Sequence, residues 1–335
     1  ASTTITVIDN IAPVISAPAN ISVNATSAAG AVVNYTAPVG TDNCSVTTTL
    51  TTAGFESGAT FPIGTTLVTY TATDSSGNTE SASFNVIVSG LAPEIVVPVN
   101  ITVSNDTGKC DAVVSYTATE TVGIPASVIT YDISPGSIFT KGTTTVTATA
   151  TNAVGTSTKT FTVTVEDNEA PTVFTQPISV SLDANGNASI TAAQINNNST
   201  DNCTIESMSL DIASFTCANV GENTVTLTVT DTSGNSASKT AIVTVSDDIA
   251  PTVITTDFSI PLANGVANIT SDDINNGSFD NCDLTLSIDK NTFTCADIGD
   301  HTVTLTATDA SGNTSSDTAT VTIVGETPEV TIADF

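Results

Sequence analysis

The chain repeats itself with a period close to 80 residues. The dipeptide Ala-Pro ends at Pro13, Pro93, Pro171 and Pro251, and Pro328 continues the series after a threonine. These prolines are 80, 78, 80 and 77 residues apart. A fixed period of this length predicts tandem units of similar structure, because the same local pattern folds in the same way each time it recurs.

Two further motifs keep the same spacing. Thr-Asp-Ser-Ser-Gly-Asn at 73–78 has relatives at 230–235 and 308–313. Asp-Asn-Cys recurs at 42–44, 201–203 and 280–282. The predicted domains are 1–12 (the end of a preceding unit and a linker), then repeats one to four at 13–89, 90–166, 167–246 and 247–324, and finally 325–335 (the start of a following unit). The partial units at both ends suggest a segment of a longer array.

Within each repeat the sequence alternates with a period of two, which predicts β-strands. Thr66–Thr73 and Thr224–Thr230 are clear examples, and Gly, Asn, Asp and Ser interrupt such runs at short intervals. Helical signals are restricted to one turn near 191–196 and its counterpart near 271–276. About 80 residues in seven short strands are typical of an immunoglobulin-type sandwich. The predicted fold class is all-β, with tandem immunoglobulin-like antiparallel β-sandwiches arranged end to end.

The charge balance excludes several classes of partner. The chain has 34 acidic residues, five lysines and no arginine, giving a formal net charge of −29. A nucleic-acid-binding protein needs a basic face, and so does a protein that binds an anionic membrane surface. We therefore expect no nucleic-acid partner and, since no apolar run is long enough, no direct membrane insertion. An acidic surface of this kind attracts divalent cations instead.

The motifs of repeat one resemble those of the hyalin-repeat (HYR) domain, an immunoglobulin-like module of extracellular adhesive proteins. The resemblance rests on Asp9–Pro13, Pro18–Val23, Asp42–Cys44, Phe61–Thr66 and Ala72–Asn78. Repeats three and four keep the loop motifs and resemble a variant found in Bacteroidota surface proteins. The resemblance implies a secreted protein at the extracellular cell surface, of the gliding-motility adhesin type.

The six cysteines of an extracellular chain suggest disulfides. Those of repeats three and four recur in register, 14 and 13 residues apart. The predicted disulfides are Cys203–Cys217 and Cys282–Cys295. Buried free thiols are the alternative. Many HYR units pair a cysteine before the Ala-Val-Val strand with that of Asp-Asn-Cys; repeats one and two each hold half of such a pair, so Cys44 and Cys110 are predicted to be free thiols.

Acidic motifs are expected to meet at one end of each sandwich. In this topology the incoming linker, the loop between the second and third strands (B–C) and the loop between the sixth and seventh strands (F–G) lie at the same end. Oxygen ligands without His or Cys select Ca²⁺. The predicted ligands are Asp9, Asn10, Asp42, Asp74 and Asn78 for repeat one; Asp167, Asn168, Asp201, Asp231 and Asn235 for repeat three; and Asp247, Asp248, Asp280, Asp309 and Asn313 for repeat four.

The alternative is that these residues only form turns, which Asp, Asn and Gly favour. Repeat two argues for a shared ion, because it lacks all of the motifs together. Ser89-Gly90 replaces the linker pair, and Asn152 and Thr156 replace the F–G residues. With no ion there, the junction between repeats one and two is predicted to be the most mobile.

The repeats, together with the absence of any catalytic set in the sequence, predict a non-catalytic structural protein. The first hypothesis is a stalk segment of a filamentous secreted cell-surface adhesin, stiffened by interdomain calcium. Its partners would be neighbouring repeats of the same chain, with an extracellular surface or a polysaccharide as ligand. The alternative is an accessory immunoglobulin-like spacer or glycan-binding region of a secreted multidomain enzyme. Few aromatic residues and no tryptophan count against glycan binding.

Overall fold

The computed structural model describes residues 1–326, and they form an all-β chain of tandem β-sandwiches, as predicted. Each of the four repeats contains one four-stranded sheet. The chain divides into a first compact unit, Ala1–Asp167, and a second that begins at Asn168. The predicted start of a following unit at 325–335 lies, from residue 327 onward, outside the described residues.

Repeat one packs a four-stranded sheet against a two-stranded sheet. Its strands are β1 (Ile21–Asn24), β2 (Ala31–Val32), β3 (Val46–Leu50), β4 (Thr60–Phe61), β5 (Gly64–Asp74) and β6 (Thr79–Ser89). The larger sheet has the order β1-β6-β5-β3, and the smaller pairs β2 with β4. Strand β1 is parallel to β6, and the other pairs are antiparallel.

Repeat two has a similar plan with one more two-stranded sheet. Its strands are β7 (Leu91–Val96), β8 (Ile101–Ser104), β9 (Asp111–Val114), β10 (Thr119–Ile124), β11 (Val128–Tyr131), β12 (Ser137–Thr140), β13 (Gly142–Thr151) and β14 (Thr156–Glu166). The larger sheet has the order β11-β13-β14-β8, and β10-β7 and β12-β9 form the small sheets.

Repeats three and four share one plan. The elements of repeat three are β15 (Ile178–Ser181), β16 (Asn187–Ser189), α1 (Ala192–Ile195), β17 (Ile205–Leu210), β18 (Ser214–Thr216), a 3₁₀ turn (Cys217–Asn219), β19 (Gly221–Asp231) and β20 (Ser236–Ser246). Those of repeat four are β21 (Phe258–Pro261), β22 (Val266–Asn268), α2 (Ser271–Ile274), β23 (Leu284–Ile288), β24 (Thr292–Thr294), a 3₁₀ turn (Cys295–Asp297), β25 (Gly299–Asp309) and β26 (Thr314–Val324). The two one-turn helices confirm the sequence prediction.

Alternation along the strands builds a narrow core in each sandwich. On β5, Val68, Tyr70 and Ala72 are buried while the threonines between them face outward. Each repeat also buries one phenylalanine from the smaller sheet, and these residues are Phe61, Phe139, Phe215 and Phe293. Full burial of such a side chain contributes about 1.5–3 kcal/mol, so each of these rings is a major part of its small core.

The junction between repeats one and two is packed by side chains rather than by charge. Only Gly90 separates the end of β6 from the start of β7. Ile124, at the end of β10 in repeat two, packs against the core of repeat one. The predicted mobility of this junction rested on the missing acidic groups alone, and the structure adds an apolar contact that opposes it.

We expect Gly90→Ala to destabilise the first compact unit by about 1–3 kcal/mol, because a methyl group there overfills the junction. A Cβ at this position would lie 2.5 Å from Val154 Cγ2 and 2.6 Å from the Ile124 carbonyl oxygen. Urea unfolding monitored by tyrosine fluorescence measures the effect. Gly155→Ala is the matched control, since its Cβ would meet Ala92 Cβ at an ordinary 3.4 Å. Equal effects of the two variants would contradict the steric argument.

Candidate metal centre

The F–G loop of repeat four is organised around a buried aspartate. Asp309 ends β25 and is only 6% exposed. Its Oδ1 accepts hydrogen bonds from the Ser311 and Asn313 backbone N–H groups at 2.9 and 2.8 Å, and its Oδ2 accepts one from Asn313 Nδ2 at 2.7 Å. Burial raises the pKa of Asp309, but the bonds from Asn313 and the loop backbone outweigh it and hold the pKa below its usual value. The carboxylate is therefore negatively charged at neutral pH.

The asparagine of this loop is a donor that ties the incoming linker to the sandwich. Asn313 Nδ2 lies 2.9 Å from the Asp247 carbonyl oxygen and 3.4 Å from that of Ile249. In repeat one, Asn78 Nδ2 likewise donates to the carbonyl oxygens of Asp9 and Ile11, at 3.1 and 3.3 Å. These amides were predicted to be metal ligands through oxygen, whereas the structure uses their nitrogen to hold the linker against the loop.

Repeat two achieves the same tie with a single residue. Asn152 Oδ1 accepts the N–H groups of Val154 and Gly155, at 2.9 and 3.1 Å. Its Nδ2 donates to the carbonyl oxygens of Leu91 and Pro125, both at 2.8 Å. Sequence reasoning saw only a missing aspartate here. One feature of the sequence could have revealed this role. In repeat two, Asn152 replaces the F–G aspartate and Thr156 replaces the F–G asparagine, so the amide has moved to the position of the carboxylate.

Three carboxylates from three separate segments meet at the linker end of repeat four. Asp247 comes from the linker, Asp280 from the B–C loop and Asp309 from the F–G loop, and one oxygen of each lies within 4.8 Å of the others. Asp247 and Asp309 are buried and Asp280 is half-buried. At an effective dielectric constant of about 20, each such pair repels by roughly 3 kcal/mol. The one lysine of this repeat, Lys290, pairs with Asp297 at 2.8 Å instead.

The same site contains buried oxygens without a hydrogen-bond donor. Asp280 Oδ2 accepts the Cys282 N–H at 3.0 Å, but Asp280 Oδ1 is buried and has no partner. Asn281 Nδ2 donates to Asp247 Oδ1 at 3.0 Å, and its own Oδ1 is buried and unpartnered. Leaving a buried acceptor unsatisfied costs about 1–3 kcal/mol. A hard cation at this point would satisfy both oxygens and relieve the repulsion between the carboxylates.

Repeat one has a looser version of this cluster. Its close group is Asp9, Asp42 and Cys44, and the predicted Asp74 is not part of it. Asp74 makes the same loop bonds as Asp309, so the difference lies in the linker, where Asp9 is half-buried although Asp247 is buried. A hydrogen bond to Asp9, burial, and the charges of Asp9, Asp42 and Asp74 raise the pKa of the Cys44 thiol.

The remaining predicted ligands are distributed as follows. Asn10 and Asp248 are exposed, and Asp248 Oδ2 accepts the Ser181 and Ser246 hydroxyls, at 2.7 and 3.0 Å, on the edge of repeat three. In the second compact unit, the Asp231 carboxylate is buried and bonded to Asn235 Nδ2 at 2.8 Å. Asp201 lies in the same unit, and its Oδ2 accepts the Cys203 N–H at 2.9 Å.

Asp167 and Asn168 fall at the boundary between the two compact units. Within the first unit, Asp167 Oδ2 lies 3.7 Å from Lys141 Nζ, so part of its charge is compensated by a lysine. Asp201, Asp231 and Asn235 belong to the second unit, and the calcium site predicted from this set stays a prediction.

The cysteines pair differently from the prediction. Cys217 is bonded to Cys282, with Cα atoms 5.7 Å apart and a sequence separation of 65. Cys110 and Cys203 are disulfide-bonded as well, while Cys44 and Cys295 are free and exposed. The predicted pairs Cys203–Cys217 and Cys282–Cys295 are therefore wrong, as is the free thiol at Cys110; the free thiol at Cys44 is confirmed.

The physical reason is the length of the sandwich. Cys203 precedes β17 and Cys217 follows β18, so the two thiols of one repeat lie near opposite ends of the fold. The six residues of β17 span about 20 Å, far beyond the ~7 Å between Cα atoms that a disulfide bridges. A disulfide from the end of one repeat that faces the next repeat to the B–C loop of that next repeat satisfies the ~7 Å limit between Cα atoms.

Comparison with known proteins bears on the first two repeats. The family model of the HYR domain matches residues 8–88 and 91–165. These two repeats are therefore similar to the HYR domain. Hyalin from Strongylocentrotus purpuratus is 34% identical over 151 residues, which are 43% of this chain and 12% of the relative. Hyalin from Lytechinus variegatus is 32% identical over 149 residues, 42% of this chain and 28% of the relative. These relatives support HYR repeats but give no support to a Bacteroidota gliding-motility adhesin.

Solved structures with similarity over most of the chain include cadherin ectodomains. The protocadherin gammaB7 EC3-6 cis-dimer structure covers 93% of this chain and 100% of that chain, at 16% identity and a TM-score of 0.33. The protocadherin gammaB4 extracellular domain covers 94% of this chain and 67% of that chain, at 15% identity and a TM-score of 0.33. Within residues 1–326, no helix is long and apolar enough to cross a membrane.

Proposed function

We propose that this chain is a non-catalytic stalk segment of a secreted, extracellular cell-surface adhesin, in which Ca²⁺ stabilises junctions between repeats. The observation that carries the proposal is the Asp247, Asp280 and Asp309 cluster with its unpartnered buried oxygens. The HYR match and the hyalin relatives support the adhesion-type repeat region. The chain covers only 12% and 28% of those two relatives, so the role of a whole protein is part of the proposal.

Ca²⁺ prefers six to eight oxygen ligands and accepts carboxylates and amide carbonyls. In repeat four the residues that would hold it are Asp247, Asp280, Asp309 and the Oδ1 atom of Asn281. They belong to the linker, the B–C loop and the F–G loop, and the Asn281 and Asn313 amides tie both loops to the linker. A bound cation would cancel the repulsion among the carboxylates and hold the linker at a fixed angle to the sandwich.

The partners in this proposal are the neighbouring repeats and an extracellular surface or polysaccharide. A parent protein of the gliding-motility type is a finer hypothesis that rests on the loop motifs of repeats three and four alone. The complete parent sequence tests it, because a long array of such repeats supports the stalk and a hydrolase domain supports the alternative spacer role.

The calcium part of the proposal is tested by titrating the full chain with CaCl₂ in a calorimeter after treatment with a chelator. We expect Asp280→Asn to bind one Ca²⁺ fewer per chain than the unaltered protein, because it removes a ligand charge while keeping the bond to the Cys282 N–H. Asp272→Asn is the matched control, since Asp272 is an exposed acid of the same repeat on α2, outside the cluster. Equal stoichiometry in the two variants, or no binding in the unaltered chain, would overturn the calcium proposal.

A further inference from the structure

The Cys217–Cys282 disulfide joins two recurring positions of the repeat. Cys217 begins the 3₁₀ turn after β18 in repeat three, and Cys282 closes the Asp-Asn-Cys motif of repeat four. Both positions recur in the chain. Cys295 begins the corresponding turn after β24 in repeat four, and Cys44 closes the same motif in repeat one. Cys295 and Cys44 therefore stand at the two positions that Cys217 and Cys282 occupy in the bond between repeats three and four.

Cys295 has the same local geometry as its bonded counterpart. Cys295 Sγ lies 3.8 Å from the Gly265 carbonyl oxygen, and Cys217 Sγ lies 3.9 Å from that of Gly186. Each turn is also fixed by one side chain on the backbone N–H of the preceding threonine, at 2.9 Å for Asn219 and 2.8 Å for Asp297. The thiol of Cys295 is thus held in the position that forms a disulfide one repeat earlier.

The two sites differ in what the described residues place against the turn. A Cβ built on Gly186 would lie 2.6 Å from the Asn281 carbonyl oxygen, so the next repeat packs directly on this turn. Among residues 1–326, a Cβ built on Gly265 would meet Cys295 Sγ alone, at 3.5 Å. The Gly265 N–H donates a hydrogen bond to Glu326 Oε1 at 2.9 Å. The Cys295 thiol is exposed.

Cys44 matches the other half of the bond. The Cys44 N–H donates to Asp42 Oδ2 at 3.0 Å, and the Cys282 N–H donates to Asp280 Oδ2 at 3.0 Å. Asp9 and Asp247 stand at the same distance before Ala-Pro in their linkers, at Pro13 and Pro251. Repeat one therefore presents its thiol in the loop, and after the linker, in which repeat four presents Cys282.

We propose that Cys295 is a disulfide acceptor for the Asp-Asn-Cys loop of any repeat joined directly after Val324, with repeat one as a matching donor through Cys44. The step needs an oxidant, for which we name a small-molecule disulfide such as glutathione disulfide. One thiolate attacks it, forming a mixed disulfide and releasing one thiol. The second cysteine thiolate then displaces the other glutathione thiol. The protein loses two S–H bonds and gains one S–S bond, while the S–S bond of glutathione disulfide breaks and two glutathione thiols form.

A tandem protein tests the proposal. It joins Val324 of a first copy, which contains residues 1–324, directly to Asp9 of a second copy, which contains residues 9–335. The fusion keeps the register, because Val324 and Ser246 pair with equivalent strand ends and Asp9 takes the place of Asp247. After refolding in a glutathione redox buffer, we expect non-reducing peptide mapping to find Cys295 of the first copy bonded to Cys44 of the second. Alkylation should then count two free thiols per tandem molecule, as in the single chain, instead of four.

The Cys217–Cys282 bond in the same sample reports correct folding and oxidation of each copy. If it is present while four thiols react, the proposal is wrong. A shifted-thiol control, Cys44→Ser with Ser45→Cys in the second copy, tests whether geometry rather than proximity selects the partner. We expect at least tenfold less bonding to Cys295 in this variant under the same buffer. Equal bonding would overturn a matched acceptor site.

Discussion

Cys282→Ser is expected to lower the free energy of unfolding of the second compact unit by about 4 kcal/mol. The Cys217–Cys282 bond closes a loop of 65 residues, and the chain-entropy model assigns about this value to a loop of that length. The loss is large for a pair of thin cores, because native domains are stabilised by only about 5–15 kcal/mol in total. Reduction of the unaltered protein should have an effect in the same direction.

The distribution of tyrosine makes the measurement selective. The chain has no tryptophan, and its four tyrosines, at 35, 70, 116 and 131, all belong to the first compact unit. Tyrosine fluorescence therefore follows that unit alone, whereas far-ultraviolet circular dichroism follows both. Cys282→Ser should shift the dichroism transition and leave the fluorescence transition in place. Cys295→Ser, which removes a free thiol of the same repeat, should shift neither; a comparable loss in both variants would contradict the prediction.

Calcium is expected to raise the melting temperature of the second compact unit. An ion at about 100 times its Kd stabilises the folded state by about 2.7 kcal/mol. The gain includes relief of repulsion among Asp247, Asp280 and Asp309, whose oxygens lie within 4.8 Å of one another. Chelation should therefore lower the dichroism midpoint by several degrees, and readdition of CaCl₂ should restore it.

Variants assign the effect to the cluster. Asp309→Asn should remove most of the response that this site contributes, because it takes away the buried charge that faces the other two carboxylates. Asp272→Asn should keep the full response. If the chelated and calcium-loaded proteins melt together, or if Asp309→Asn responds like the unaltered chain, these carboxylates do not form a calcium site.

The fold could be predicted from the sequence because neither of its two periodicities depends on contacts between residues far apart in the chain. The 80-residue spacing of the Ala-Pro dipeptides sets the number of sandwiches, and alternation on strands such as β5 and β19 sets which side chains enter the core. The convergence of Asp247, Asp280 and Asp309 followed from topology alone, since loops at one end of a sandwich must lie near each other.

The disulfide pairing was not predictable from recurrence, because an in-register pair of cysteines fits bonds within a repeat and bonds between repeats equally well. The length of β17 decides between them. The role of Asn313 could not be predicted either, because the sequence does not show whether the amide oxygen or the amide nitrogen faces the carboxylate. Only the position of the linker carbonyl groups of Asp247 and Ile249 determines that.

The uncharged side chain of Asn152 makes a neutral joint, by which we mean a linker held without carboxylates, between repeats one and two of the first compact unit. Its amide holds the linker at Leu91 and the loop at Pro125 without any carboxylate. Neither chelation nor mild acid therefore removes what holds this joint, whereas the joint at Asp247 adds three carboxylates to the Asn313 amide and the Cys217–Cys282 disulfide. If Ca²⁺ binds at Asp247 as proposed, its removal would loosen that joint and leave the joint at Asn152 unchanged. The positions of uncharged joints would then decide which neighbouring repeats keep a fixed angle when calcium is low.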